Sequence, residues 1–169
     1  MKSLSEIETV SKRASRAAGY SWGICEEVGK NVRLLEMFGL PGIKNLNDYF
    51  DKKKKQKFEN LKLINAENKS TKFQYCPIIS GTSLLDQIKS LNNLNEIKFE
   101  GIAYPLLFLP FVSRASEIIG KRLFLKLDSN EFLLNFNNNI FSNFINNEII
   151  IISNIVTIRL LENTDLFSE

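Results

Sequence analysis

Apolar residues recur at helical spacing over the first part of the chain and switch to alternation near residue 97. Ser3-Leu4-Ser5-Glu6 reads as a capping box, in which the Ser3 hydroxyl satisfies an unpaired amide of the first turn. Leu4, Ile7, Val10, Ala14, Ala17 and Ala18 then give one face of a first helix, which Gly19 ends. Ser21 opens a second helix, with Trp22, Cys25, Val28, Val32, Leu35 and Phe38 as its apolar stripe. Gly39, Pro41 and Gly42 close it, and a short third helix follows over about residues 43–50. Small residues (Ala14, Ala17, Ala18, Gly19, Gly23, Gly29) let the first two helices approach closely.

Residues 51–72 are polar and lack a sustained period, so they read as a mobile linker or loop. A further helix is expected over residues 80–91, opened by Ser80-Gly81-Thr82-Ser83, with Leu84, Leu85, Ile88 and Leu91 on one face. Ile97 to Glu100 alternates like a half-buried strand. Phe111 to Ile119 reads as a helix between Pro110 and Gly120. Arg122 to Leu127 and Phe132 to Phe136 read as a hairpin about Asp128-Ser129-Asn130. Ile149 to Ile152 is β-branched throughout, which predicts a strand covered on both faces. Ser153-Asn154 reads as a turn, and Ile155 to Leu161 as the return strand of a second hairpin. Helices first and hairpins later predict a single α+β domain over 1–169, with N-terminal helices packed on a C-terminal antiparallel sheet. Its parts are a helical hairpin region (1–50), the polar linker or loop (51–72) and a mixed region (73–169).

Composition narrows the chemistry. The chain has no histidine, which removes His-dependent triads and His-ligated metals, so neither metal nor cofactor is expected and the reading leans away from an enzyme. Cys25 and Cys76 lie far apart and form no CxxC motif. Met1-Lys2-Ser3-Leu4-Ser5-Glu6 has no signal-peptide character, and no apolar run approaches a membrane span, so a reduced cytoplasmic location is expected with no membrane partner. Net charge is +3, too small to imply nucleic acid by itself. The run Lys52-Lys53-Lys54-Lys55 with Lys57 has no interleaved aromatic and reads as a solvated segment before a phosphate-binding one.

Two clusters stand as candidate sites. Glu26, Lys30 and Arg33 share one face of the second helix, with Glu27 beside them and Arg16, Ser21 and Trp22 at the preceding turn. They read either as a lattice of salt bridges or as a site for a protein partner or a small anionic metabolite, which arginine would clamp. Glu26 and Glu27 point about 100° apart on a helix, which argues against a carboxylate dyad. Ser21 formally sits in a Gly-x-Ser-x-Gly elbow, but a helix precedes it and no histidine exists to activate it, so a helix cap is its reading. Arg114, after Leu109-Pro110-Phe111, is the second candidate, with an exposed arginine paired to Glu117 as the alternative.

The stretch Ala17-Ala18-Gly19-Tyr20-Ser21-Trp22-Gly23, with Glu26-Glu27, Gly29-Lys30, Arg33 and Gly39-Leu40-Pro41-Gly42, resembles an uncharacterised family of small bacterial proteins classed as a domain of unknown function. Leu107 to Ser116 is similar to a later region of that family, a Leu-Pro-Phe sequence followed by an Arg-containing helix. The resemblance implies candidate positions and no chemistry. A non-enzymatic accessory protein with a protein partner or a second copy of itself is the functional expectation, and a binder or enzyme of a small anionic metabolite the alternative.

Overall fold

The structure is a computed structural model that describes residues 2–70, 72–135, 140–142 and 149–161, at Phe141 the backbone only. Phe136 and the Asn137-Asn138-Asn139 run lie outside the described residues. The fold is α+β, with helices toward the N-terminus and strands toward the C-terminus. Three helices come first, α1 (Leu4–Ala17), α2 (Trp22–Met37) and α3 (Gly42–Lys53). The Ser3 and Ser21 side chains accept from the Glu6 and Ile24 amides, as their caps predict. Gly19 and Gly39, at φ 98° and 76°, end the first two helices in the left-handed region that glycine enters without a Cβ penalty.

Helices α1 and α2 pack as an antiparallel pair, and Gly29 sets their spacing. A Cβ there would stand 2.9 Å from the Glu8 carbonyl oxygen and 3.0 Å from Lys12 Cδ. A second close crossing joins α4 (Pro77–Leu91) to α5 (Leu109–Ile119). At Gly81 a Cβ would lie 2.7 Å from Phe111 Cε2 and closer still to the inner ring atoms. The sequence places the start of α4 at Ser80; it starts three residues earlier, because Pro77 takes the first helical position and Cys76 caps it. Gly81 is therefore interior to the helix, at its contact with α5.

The remaining strands are β1 (Glu67–Asn68), β2 (Glu96–Ala103), β3 (Leu123–Leu127), β4 (Asn130–Leu134), β5 (Ile140–Ser142) and β6 (Ile152–Leu160). They form one sheet in the order β1-β2-β6-β3-β4-β5, antiparallel except for the β1–β2 pair. β3 and β4 make the predicted hairpin about Asp128 and Ser129. α5 lies against β3 and β4, α4 runs along α5, and α2 and α3 reach the sheet through α5 and a turn of 3-10 helix at Pro105–Leu107.

Three expectations change. The segment read as a mobile linker or loop is a loop over most of residues 54–66 and not a free linker: Ile64 is 3% exposed, β1 pairs with β2, and Glu59 bridges Tyr75, so backbone pairing holds a stretch that lacks side-chain period. The second hairpin does not form. Ser153-Asn154 lies inside β6, whose backbone continues between β2 and β3, and ladder bonding on both sides overrides the local turn preference. The isoleucine run is not a strand buried on both faces. Only Ile152 belongs to β6, and Ile149 and Ile151 are 36% and 53% exposed. Four like residues carry no alternation, so the run could not reveal which of them faces the helices.

Burial changes parity on β2 and β6 together. Ile97 and Phe99 are buried, then Ile102 is; on β6, Ile158 and Val156 are buried, then Ser153 is. Gly101 lies at this point of β2, at a φ of 71° that glycine enters freely. Asp128, from the β3–β4 turn, accepts from the Asn154 and Ile155 amides at 3.3 and 3.1 Å and fastens β6 just beyond this point.

Candidate functional site

The charged residues of α2 are distributed among three neighbours. Glu26 pairs with Lys12 at 3.5 Å and Arg33 with Glu8 at 3.9 Å, both across the α1–α2 contact. Glu27 turns the other way and forms an ion pair with Arg114 of α5, each side chain about two-thirds buried. Burial draws the Arg114 guanidinium down from its ordinary range, and Glu117 partly offsets that. Lys30 lines a shallow surface depression with Glu8, Arg33, Leu34 and Met37. Arg16 lies over the Trp22 ring at 4.9 Å and donates to the Tyr20 carbonyl at 3.0 Å, which closes the α1–α2 turn. Trp22 itself is 62% exposed. Of the predicted residues, Lys30 and Arg33 share that depression, Glu26, Glu27 and Arg114 belong to the ion pairs above, and Ser21 alone lines the cavity described next.

That cavity, about 560 Å³ and open to solvent, lies between the α1–α2 turn, the end of α3 and the start of α4. Its size falls within the range of about 300–1,000 Å³ typical of small-molecule sites. Gly19, Tyr20, Ser21 and Ile24 form one wall, Lys53, Gln56, Lys57, Phe58 and Asn60 another, and Tyr49, Cys76 and Ile79 the third. Two helices therefore present their N-termini to it, α2 at Ser21 and α4 at Cys76. The partial positive charge of each helix start adds to the two lysine ammonium groups. Among the described residues that line the cavity, none is a carboxylate.

Local chemistry fixes each wall. α3 ends at Lys53, whose ammonium lies 4.4 Å from the centre of the Tyr20 ring and 3.4 Å from the Ala18 carbonyl oxygen. This cation–π contact and hydrogen bond hold one lysine of the run against the helix pair. The Glu59–Tyr75 bridge then brings residues 58–60 alongside the start of α4. Cys76 caps α4: its sulfur accepts from the Ile79 amide at 3.5 Å and from the Tyr49 hydroxyl at 2.8 Å, and the Tyr20 hydroxyl lies 3.5 Å away. Burial raises both phenols well above their ordinary range, and their interaction with the Cys76 sulfur raises them further, so they remain protonated donors at neutral pH. Tyr49 continues into an aromatic group with Phe50, Phe58 and Tyr104, and the Tyr104 hydroxyl donates to Asp48.

Sequence reading did not find Tyr20, Tyr49, Lys53, Lys57 or Cys76 as a group. Cys76 lies 56 residues from Tyr20 and 27 from Tyr49, so no local spacing links them. The one available signal was Cys76-Pro77, a capping residue followed by proline at a helix start.

Residues 2–75 match the model of a family described as "Protein of unknown function (DUF3726)". The match covers α1 to α3 and the segment that carries β1, and it ends one residue before Cys76. No curated protein and no solved structure matches the chain.

Proposed function

We propose that the protein binds a small organic anion in the cavity between the α2 and α4 N-termini. The observation that supports this reading is the sign of the lining: two lysines, two helix starts and no carboxylate among the described lining residues. The anionic group belongs near Lys53 and Lys57, and an apolar body fits against Ile24, Phe58 and Ile79. This reading keeps the anionic ligand anticipated from the sequence, and it moves the cations that bind it from Lys30 and Arg33 to Lys53 and Lys57.

Titration calorimetry with inorganic phosphate, succinate and a nucleoside monophosphate tests it. Lys53→Ala and Lys57→Ala should each weaken binding by about tenfold or more, the worth of a charge-assisted hydrogen bond. Binding should also weaken as salt rises. Lys30→Ala, outside the cavity, should leave affinity unchanged. If none of the three anions binds, or all three variants bind equally well, the reading fails.

A second reading rests on Trp22, an indole 62% exposed beside the cavity wall. An exposed aromatic of this size suits an accessory role in which a protein partner or second copy covers it. Sedimentation velocity over a wide concentration range tests self-association, with Trp22→Ala expected to abolish it. Both cysteines are free thiols, which accords with a cytoplasmic setting.

A further inference from the structure

We infer that Cys76 is the covalent attachment point of the cavity, where its thiolate bonds to an electrophilic carbon carried by the bound anion. This rests on the anion-binding reading and adds chemistry to it. Cys76 is 1% exposed, yet it is one of the residues that line the cavity, so the way to its sulfur is through the cavity. Its neighbours place donors around the sulfur. The Tyr49 hydroxyl and the Ile79 amide both donate to it, at 2.8 and 3.5 Å, and the Tyr20 hydroxyl stands at 3.5 Å. A neutral thiol is a weak acceptor and has little use for several donors; a thiolate has capacity for all three. The sulfur also stands at the N-terminus of a 15-residue helix, where the macrodipole favours an anion.

The rest of the cavity supplies what a nucleophile needs from its surroundings. Lys53 and Lys57 draw an anionic electrophile into the space that Cys76 lines, which raises its local concentration beside the sulfur. The two phenols hold their protons through burial, so they act as fixed donors and do not compete as nucleophiles at neutral pH. Cys25 provides a contrast within the same molecule. It is fully buried, its thiol faces the Tyr20 carbonyl at 3.6 Å, it does not line the cavity, and burial raises its thiol.

The bond-forming step is a displacement. The sulfur lone pair forms the S–C bond, the pair of the breaking bond leaves with the displaced group as an anion, and the thiol proton passes to solvent. With iodoacetate as the probe the leaving group is iodide. Iodoacetate and iodoacetamide differ in charge and share the reacting carbon, so the pair separates nucleophilicity from anion attraction.

The experiment follows alkylation of the native full chain by peptide mass spectrometry, with phosphate-induced thermal shifts recorded on unmodified samples of each variant. Cys76 should be alkylated and Cys25 spared, and the ratio of iodoacetate to iodoacetamide rates should exceed that for free glutathione by about tenfold or more. Lys53→Ala/Lys57→Ala should lower the iodoacetate rate by about tenfold and leave the iodoacetamide rate within about twofold. Tyr49→Phe should slow both reagents by about tenfold. Should that core variant fail to fold, the surface lysine variant still decides the matter. The inference is overturned if Cys76 stays unmodified by both reagents in the native protein while both cysteines react in denaturant. It is overturned equally if Cys25 reacts as fast as Cys76. A phosphate shift with an inert Cys76 removes this inference and keeps anion binding. A Cys76 that is selective over Cys25 but indifferent to both lysines and to reagent charge, with no phosphate shift, removes the binding reading and leaves Cys76 a nucleophile without an anion preference.

Discussion

Gly81→Ala sets two effects of opposite sign against each other. Alanine is favoured over glycine inside a helix by about 1 kcal/mol, because it loses less backbone freedom on folding. At Gly81, however, the new methyl enters the Phe111 ring, whose Cε2 would be 2.7 Å away and whose inner atoms would be nearer. Phe111 is 1% exposed on α5 and has no open space to retreat into, so ring and helix backbone must move together. Overpacking costs about 1–3 kcal/mol and occasionally more, and a methyl placed inside a ring belongs to the upper part of that range, about 2–3 kcal/mol, which exceeds the propensity gain. The expected net effect is a loss of about 1–2 kcal/mol, seen as a fall in Tm of about 3–6 °C for a chain of this size. Urea denaturation monitored by far-ultraviolet circular dichroism measures it. Gly23→Ala is the control, since its Cβ would meet nothing within 4 Å, and it should be neutral or stabilising by about half a kcal/mol. Combining Gly81→Ala with Phe111→Leu should recover stability relative to the sum of the single changes, with a coupling of about 1 kcal/mol or more. A Gly81→Ala protein as stable as the parent would refute the close crossing of α4 and α5.

All four tyrosines have raised pKa values with burial as the leading cause, so the native state keeps protons that the unfolded chain releases above the ordinary value of 10.0. Stability should therefore be complete below about pH 10 and fall above it, by up to about 1.4 kcal/mol per pH unit per tyrosine. Tyrosinate absorbance from Tyr20 and Tyr49 should appear in one step with unfolding, and ionisation of either near pH 10 in the folded protein would contradict the packing around Cys76. Glu27→Ala leaves the two-thirds-buried Arg114 with Glu117 alone and should cost about 1–2 kcal/mol, whereas Glu26→Ala, which removes a carboxylate whose own side chain is 54% exposed, should cost less than about half of one. Equal costs in urea titration would show that the two pairs do not differ in burial. Ile158→Ala, fully buried on β6, should lose about 2–5 kcal/mol, while Ile155→Thr, 54% exposed, should stay within about 0.5 by the same measurement.

What the sequence disclosed was local. Serine caps at Ser3 and Ser21, glycine stops at Gly19 and Gly39, and apolar stripes of period near 3.6 act within a few residues, so the helix pair and α5 were legible. The β3–β4 hairpin was legible for the same reason, since alternation on both arms and Asp128-Ser129 between them suffice. Whatever depended on distant partners was not. The pairing of β6 with both β2 and β3 overrode the turn signal of Ser153-Asn154. Lys53 and Lys57 sat in a run that reads as solvated, and only the fold sets Tyr20 and the α4 cap beside them. The pattern showed that α2 is charged; that Glu26 and Glu27 serve different helices follows from packing, which the pattern does not contain.

The slip at Gly101 makes one residue without a side chain answerable for the address of several others. Any L-residue at that φ is strained by about 1–2 kcal/mol, and relief would act on β6 as well, through the ladder the two strands share. Were burial to keep its parity along β6 from Val156, it would fall on Asn154 in place of Ser153, so an amide would have to be desolvated where a small hydroxyl now fits. The order of buried positions beside the isoleucine run is thereby set from the neighbouring strand, where no substitution within the run itself could select it.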